Sequence, residues 1–257
     1  KNNIKILIYV SGIAHTNSIS FFNKKNLKDK YDSDLKYFKN YIKLLKKSNL
    51  KKIIYISSSK VNEVYSKKII TELDFPKVNN YYSSYKFKYE EIILNFCKVE
   101  DINYTILRPP AIYGPGSKGN LSFLIKLIKL GVPLSLINFN GLRSYLYIGN
   151  LISFISILIT KDIKISSILF ISDTEDLTLN DLIYIISKIY SKKFFKIKYL
   201  NFLKIFIWIL FPKKIYNLMF ANFVLNKNEA KKYYKWRPKY SSLEGFSKTL
   251  KNDEKNN

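Results

Sequence analysis

A phenol and an ammonium four residues apart, Tyr82 and Lys86 in the stretch Asn80-Tyr81-Tyr82-Ser83-Ser84-Tyr85-Lys86, could together move a proton. On a helix, positions i and i+4 share a face, so both groups can address one small volume. A tyrosine that carries protons near neutral pH must lose roughly three units from its reference pKa of about 10. A positive charge about 4 Å away, at an effective dielectric near 20, is worth about 4 kcal/mol, or roughly three pKa units. The pair is therefore chemically sufficient, but it is not specific: with 21 Tyr and 44 Lys+Arg in the chain, the same spacing arises on a solvated helix face. Tyr81 and Tyr85 flank the proposed base, and neither has a lysine four positions on.

Several elements must position such a pair. Ile4 to Val10 reads as a buried strand with no room before it for another element, so the chain is expected to begin inside a fold. Leu35, Phe38, Ile42 and Leu45 give 34–50 a helical rhythm. Ile53 to Ile56 is a second buried strand, and Ser57-Ser58-Ser59 stands at its C-terminal end, where open α/β sheets place ligands. Tyr82 to Cys97 is the helix that carries the pair. Tyr104 to Leu107 is another strand, ending at Arg108-Pro109-Pro110 because proline stops the ladder; Arg108 could brace this corner or touch a ligand. Leu121, Leu124, Ile125, Leu127 and Ile128 mark an amphipathic helix. Leu169 to Asp173 is a late strand, followed by a helix capped at Thr178 with Asp181 three residues on. Lys192 to Tyr199 alternates weakly, and 252–257 reads as a polar tail. A literal G-x-G-x-x-G at Gly114, Gly116 and Gly119 contains Pro115 and follows a late strand, with no acidic residue between Asp101 and Asp162. It reads as a loop over a cleft rather than as a dinucleotide fingerprint.

Composition narrows the function classes. A chain of 257 residues with 47% hydrophobic content can bury a core and is not disordered. The formal charge of +25 would suggest a nucleic-acid partner, but only Arg108, Arg143 and Arg237 are arginine. Bidentate contacts to phosphate and guanine lean on arginine, so nucleic acid is not expected as a partner. One cysteine, Cys97, and one histidine, His15, exclude a disulfide framework and a His/Cys zinc cluster, and fit a reducing, cytoplasmic setting. The apolar runs Leu151 to Ile159 and Phe202 to Phe211 fall short of the roughly 20 residues a bilayer span needs, so no integral membrane segment is expected. Pro212-Lys213-Lys214 after the second run leaves peripheral membrane contact open beside the plainer reading of a core or cleft-wall helix.

Taken in order, the serine-ended strand, Tyr82 and Lys86, Arg108-Pro109-Pro110-Ala111-Ile112-Tyr113-Gly114-Pro115-Gly116, and Arg143-Ser144-Tyr145-Leu146-Tyr147-Ile148-Gly149-Asn150-Leu151 resemble the extended short-chain dehydrogenase/reductase family. That family comprises nucleotide-sugar epimerases, dehydratases and ketoreductases, and the resemblance runs to Trp236-Arg237-Pro238. It implies an α/β fold: an N-terminally truncated Rossmann-like parallel sheet over 1–112, a smaller substrate lobe over 113–250 with a strand near 168–172 returning to the sheet, and a tail over 251–257. The family's Gly-rich phosphate loop after its first strand is absent. By the resemblance, Tyr82, Lys86 and Ser58 are catalytic, with Ser57 and Ser59 as alternatives to Ser58. Ser11, Gly12, Ser57, Tyr82, Lys86 and Pro109 would hold NAD or NADP, and Ser58, Ser59, Asn120 and Arg143 a nucleotide-diphosphate sugar, UDP-linked. Lys86 is expected to depress the Tyr82 pKa. Asn40 falls where the family anchors its active-site network, and His15 lies in the first turn. A homodimer is a further family expectation. The implied activity is a 4-epimerase of a UDP-hexose or UDP-N-acetylhexosamine. The alternatives are an NAD(P)H-dependent 4-ketoreductase and, from another class, an inactive remnant that binds nucleotide sugar. The family's 4,6-dehydratases follow the catalytic hydroxyl with Asp-Glu, whereas this chain has Ser59-Lys60, which disfavours dehydration.

Overall fold

The computed structural model describes residues 4–10, 24–62, 65–117, 120–132, 138–161, 165–192 and 212–255, with positions 134, 205 and 208–210. Its centre is a parallel sheet of β1 (Ile6–Tyr9), β2 (Lys52–Ile56), β3 (Asn103–Arg108) and β6 (Ser167–Phe170), in the spatial order β1-β2-β3-β6. All five residues of β2 are buried, as a strand covered on both faces must be. Alternation then sorts its side chains. Ile53 and Tyr55 join Ile106 against α1 (Lys24–Leu44) and α2 (Tyr81–Val99), through Tyr31, Leu35, Phe38, Ile42, Tyr85, Tyr89, Ile93 and Phe96. Ile54 and Ile56 join Leu107 and Leu169 on the other face, against Leu151, Phe154 and Leu158 of α4 (Ile148–Thr160) and against Tyr234 and Trp236.

A second, smaller sheet holds β4 (Ala111–Tyr113), β5 (Arg143–Tyr147) and β7 (Asp176–Leu177), with β5 parallel to β4 and antiparallel to β7. Around it pack α3 (Asn120–Lys129), α5 (Leu179–Ile189) and α8 (Ser242–Lys255), with α6 (Lys213–Phe220) contributing Met219 and Phe220. Strand β5 belongs to both halves, because Leu146 points into the core beneath the large sheet and Tyr147 into the smaller one. Buried Asp173 fixes this junction: its carboxylate accepts from the Tyr113 hydroxyl at 2.9 Å, the Tyr147 amide at 3.0 Å and the Asn150 amide group at 2.8 Å. Burial raises its pKa against those hydrogen bonds. The segment ahead of α7 (Asn228–Tyr234) adds a second tie, bridging Phe223 to Arg143 and Leu225 to Ile70.

Several boundaries differ from the sequence reading, among them β6, which spans Ser167–Phe170 rather than Leu169 to Asp173. Helix α1 begins at Lys24, well before Asp34, since Tyr31 already belongs to its buried stripe. Helix α8 runs on to Lys255, through most of the stretch read as a tail.

Candidate active site

The site is built where β2 ends. Beyond Ile56 the backbone stays tied to the end of β3, with the Ser57 amide donating to Leu107 O at 2.8 Å and the Ser59 amide to Pro109 O at 2.9 Å. The serine run is thus held rigidly at the C-terminal edge of the sheet. Ser58 is extended and caps a short 3-10 turn, Ser59–Val61, its hydroxyl accepting from the Lys60 amide at 3.3 Å.

Helix α2 is started by Asn80, whose side chain accepts from the Ser83 amide at 2.9 Å while Ser83 Oγ accepts from the Asn80 amide at 3.3 Å. This reciprocal cap fixes the register of the helix and puts Tyr82 in its first turn, where the helix dipole favours a phenolate. The same register turns Tyr85 to α1, stacked on Tyr31 with centroids 4.1 Å apart and donating to Asp32, and leaves Tyr81 exposed. Tyr89 donates to Asp34 at 2.5 Å, so α2 is clamped to α1 at two successive turns.

Tyr82 and Ser58 meet. Burial raises the Tyr82 pKa, and a hydrogen bond with Ser58 draws it back. The expected depression is therefore not the state of the protein alone: desolvation of the phenolate outweighs the bond with Ser58. Lys86 is buried, donates from Nζ to Ile56 O at 3.0 Å and lies 5.2 Å from the centroid of the Tyr55 ring. Burial lowers its pKa to about 8, opposed by Glu90 and Asp34. Lys60, on the 3-10 turn, places its ammonium 5.5 Å from the Tyr82 ring centroid.

Behind these groups lies a buried polar chain. Glu90, four residues after Lys86 on the same face, accepts from Ser57 Oγ and forms a fully buried ion pair with Arg108, through Nε at 3.0 Å and Nη2 at 2.5 Å. Arg108 Nη1 donates to Asn62 Oδ1 at 2.9 Å, and Asn62 Nδ2 to Asp74 O at 2.7 Å. Arg108 therefore braces the corner. Sequence reasoning passed over Glu90 and Asn62, although the i+4 spacing 82, 86, 90 was a usable signal for the glutamate.

Of the residues singled out from sequence, Tyr82, Lys86, Ser57, Ser58, Ser59 and Pro109 come together at the C-terminal ends of β2 and β3, with Ser59 almost wholly buried. Arg143 stands in the second sheet. Its guanidinium lies 5.2 Å from the Phe223 ring centroid and donates to Ala221 O at 3.4 Å, and burial lowers its pKa. Asn120 opens α3. Asn40 is exposed on α1. Ser11, Gly12 and His15 lie outside the described residues. Gly114 and Gly116 follow β4 in the smaller sheet, where Gly116 adopts φ +72° and the Gly114 amide donates to Ser117 Oγ at 2.8 Å, a turn remote from the first strand.

Known proteins share this fold. The family model described as NAD dependent epimerase/dehydratase family matches residues 9–168. UDP-glucose 4-epimerase of Vibrio cholerae is 24% identical over 213 residues, 79% of this chain and 63% of the relative. N-acetyl-alpha-D-glucosaminyl-diphospho-ditrans,octacis-undecaprenol 4-epimerase of Escherichia coli O157:H7 is 26% identical over 165 residues, 63% of this chain and 50% of the relative. The chain thus spans less than two thirds of either curated relative's length. Among solved structures, UDP-glucuronic acid 4-epimerase from Bacillus cereus in complex with NAD superposes with a TM-score of 0.67 at 21% identity, covering 84% of this chain and 66% of that one. For dTDP-glucose 4,6-dehydratase from Bacillus anthracis in complex with NAD the values are 0.69 and 20%, covering 97% and 73%. At these identities the structural likeness is one of fold.

Proposed function

The chain belongs to the NAD dependent epimerase/dehydratase family, and from that premise we propose that it is a nucleotide-sugar 4-epimerase acting on a UDP-hexose or UDP-N-acetylhexosamine with NAD or NADP. The observation that carries this reading is the gathering of Tyr82, Ser58 and buried Lys86 at the C-terminal edge of the parallel sheet, with Tyr82 and Lys86 four residues apart on one helix and Lys86 bonded to Ile56 O beside the serine run.

In this reading Ser58 holds the sugar oxygen, and Tyr82 as phenolate takes the hydroxyl proton from it and gives it back at the end of turnover. Lys86 supplies the charge that offsets the burial of Tyr82. The donor set present fits the nicotinamide-ribose end of a dinucleotide, since a phenol and an ammonium on one helix face can both bond a ribose diol. When bound, that cofactor would accept a hydride from the sugar and return it. Arg143, whose planar fork suits a diphosphate, and Asn120 at a helix start would take the other end of the substrate. Ser59-Lys60 offers no carboxyl group next to Ser58, which supports epimerisation over loss of water.

The test is incubation of purified protein with NAD and, separately, UDP-glucose, UDP-N-acetylglucosamine and N-acetylglucosaminyl-diphospho-undecaprenol, followed by proton NMR of the C4 configuration. Inversion of either UDP-sugar, lost in Tyr82→Phe, is the expected result. Inversion confined to the lipid-linked sugar would overturn the UDP assignment. Stoichiometric consumption of NADPH with a 4-ketosugar would replace epimerase by ketoreductase. Binding of UDP-sugars by calorimetry without any conversion would replace it by a binding protein.

A further inference from the structure

Ahead of α6, four described positions present apolar side chains to solvent. Residues 205 and 208–210 are helical, and Ile205, Trp208, Ile209 and Leu210 are exposed at 60%, 63%, 65% and 71% of their surface. Trp208, Ile209 and Leu210 are consecutive and Ile205 stands three positions before Trp208, so the four fall within six positions of one another. Single exposed apolar residues are ordinary, but four together, including a tryptophan, are not. Exposed Pro212 and Lys213 follow directly. The surrounding sequence is strongly basic: no Asp or Glu occurs between Asp181 and Glu229, and lysines stand at 192, 193, 196, 198, 204, 213 and 214.

We infer that this face docks the protein on an anionic lipid bilayer, lying in the interface rather than crossing it. Apolar residues flanked by lysine match the two layers of such a surface, with tryptophan and the aliphatic side chains at the acyl boundary and ammonium groups at the phosphates. Tryptophan favours that boundary because one end of the indole is apolar and the other can stay wet. A second copy of this chain is a poorer fit. Two such faces would bring like charges together in a protein that already carries a formal +25. Among the described residues no helix is long and apolar enough to span a membrane. The inference stands independently of the proposed catalytic activity, because it involves none of the residues placed in the site.

Flotation with vesicles of phosphatidylcholine alone or with added phosphatidylglycerol tests it on the full chain. The protein should float with the anionic vesicles, and binding should fall as salt is raised, since the attraction to exposed lysines is screened. Trp208 gives a direct optical readout: the other tryptophan, Trp236, is buried and donates to Ser153 at 3.1 Å, so a blue shift on adding vesicles reports Trp208. Ile209→Asp should weaken binding by at least about tenfold and Lys213→Glu by several-fold, with circular dichroism and UDP-sugar affinity unchanged. Absence of flotation, equal flotation with neutral vesicles, or an unshifted Trp208 emission would overturn the inference. So would concentration-dependent dimerisation by light scattering that Ile209→Asp abolishes, which would assign the face to a second copy.

Discussion

Replacing Lys86 by methionine is expected to stabilise the protein at pH 7 while abolishing turnover. Burial lowers the Lys86 pKa from 10.5 to about 8 despite Glu90 and Asp34. At about 1.4 kcal/mol per unit, holding the charge in the folded state costs about 3 kcal/mol at neutral pH. Methionine keeps an unbranched stem in the same volume and removes the charge. It also gives up the hydrogen bond to Ile56 O, worth about 1 kcal/mol, which leaves a net gain of about 2 kcal/mol. The pH dependence is the sharper signature. Between pH 8 and 10.5 the unfolded chain still binds the lysine proton and the folded protein has lost it, so wild-type stability gains with rising pH through that window. The variant lacks this gain, so its advantage should shrink from about 2 kcal/mol at pH 7 to near zero at about pH 10. Ionisation of tyrosines away from Lys86 affects both proteins alike and cancels in the difference. Urea unfolding of the two proteins at both pH values measures it. A variant less stable than wild type at pH 7, by a margin that does not change with pH, would refute the reasoning and show Lys86 to be held by pairing strong enough to repay its burial.

Three further perturbations follow from the same geometry. Tyr82→Phe should leave UDP-sugar affinity within a few-fold and lower turnover by about 10²–10⁴, the usual contribution of a positioned proton carrier; parallel calorimetry and initial rates decide it. Glu90→Gln strands the buried Arg108 charge and should cost about 3–5 kcal/mol in chemical denaturation. A double-mutant cycle with Arg108→Met should return a coupling of about 2–3 kcal/mol, and additive losses would mean the two groups do not act as a pair. Gly245→Ala would put a methyl group 2.6 Å from Tyr113 Oη and 3.0 Å from Tyr147 Cγ. Tyr113 is pinned by its bond to Asp173, so this overpacking should cost about 1–3 kcal/mol, and an unchanged melting temperature would contradict it.

Local rules carried much of this structure in the sequence. An apolar run with a serine end announces β2, and i+4 spacing puts Tyr82 and Lys86 on one helix face. Thr178 with Asp181 forms the reciprocal cap that its pattern suggests. What escaped was set by tertiary packing. The start of α1 lies in the lysine-rich stretch from Lys24 to Lys30, where a single apolar residue, Leu27, carries the helical rhythm back from Tyr31 and the charges around it mask the signal. The partner of Glu90 is 18 positions away on a strand, and nothing local selects Arg108 from the other cations. The sign of the Tyr82 shift was equally out of reach, because the effect of an ammonium can be worked from spacing but the desolvation that raises the pKa exists only once the helix has packed.

The three helix positions 82, 86 and 90 explain each other when taken as a gradient of depth. Tyr82 is half-buried at the mouth, Lys86 is buried beneath it, and Glu90 is fully buried and shared between Ser57 and Arg108. A lysine buried without a counter-charge would lose its proton well below neutrality, as buried ammonium groups do. Glu90 prevents that and leaves the pKa at about 8, so most Lys86 side chains are charged at pH 7. Arg108 in turn occupies the carboxylate from the far side through Nε and Nη2, so that it supports Lys86 without closing on it. In the role proposed for it, Lys86 then offers the outermost phenol a charge that is held at neutral pH yet poorly solvated. A solvated lysine at the same spacing would be screened by water and far less effective on its neighbour.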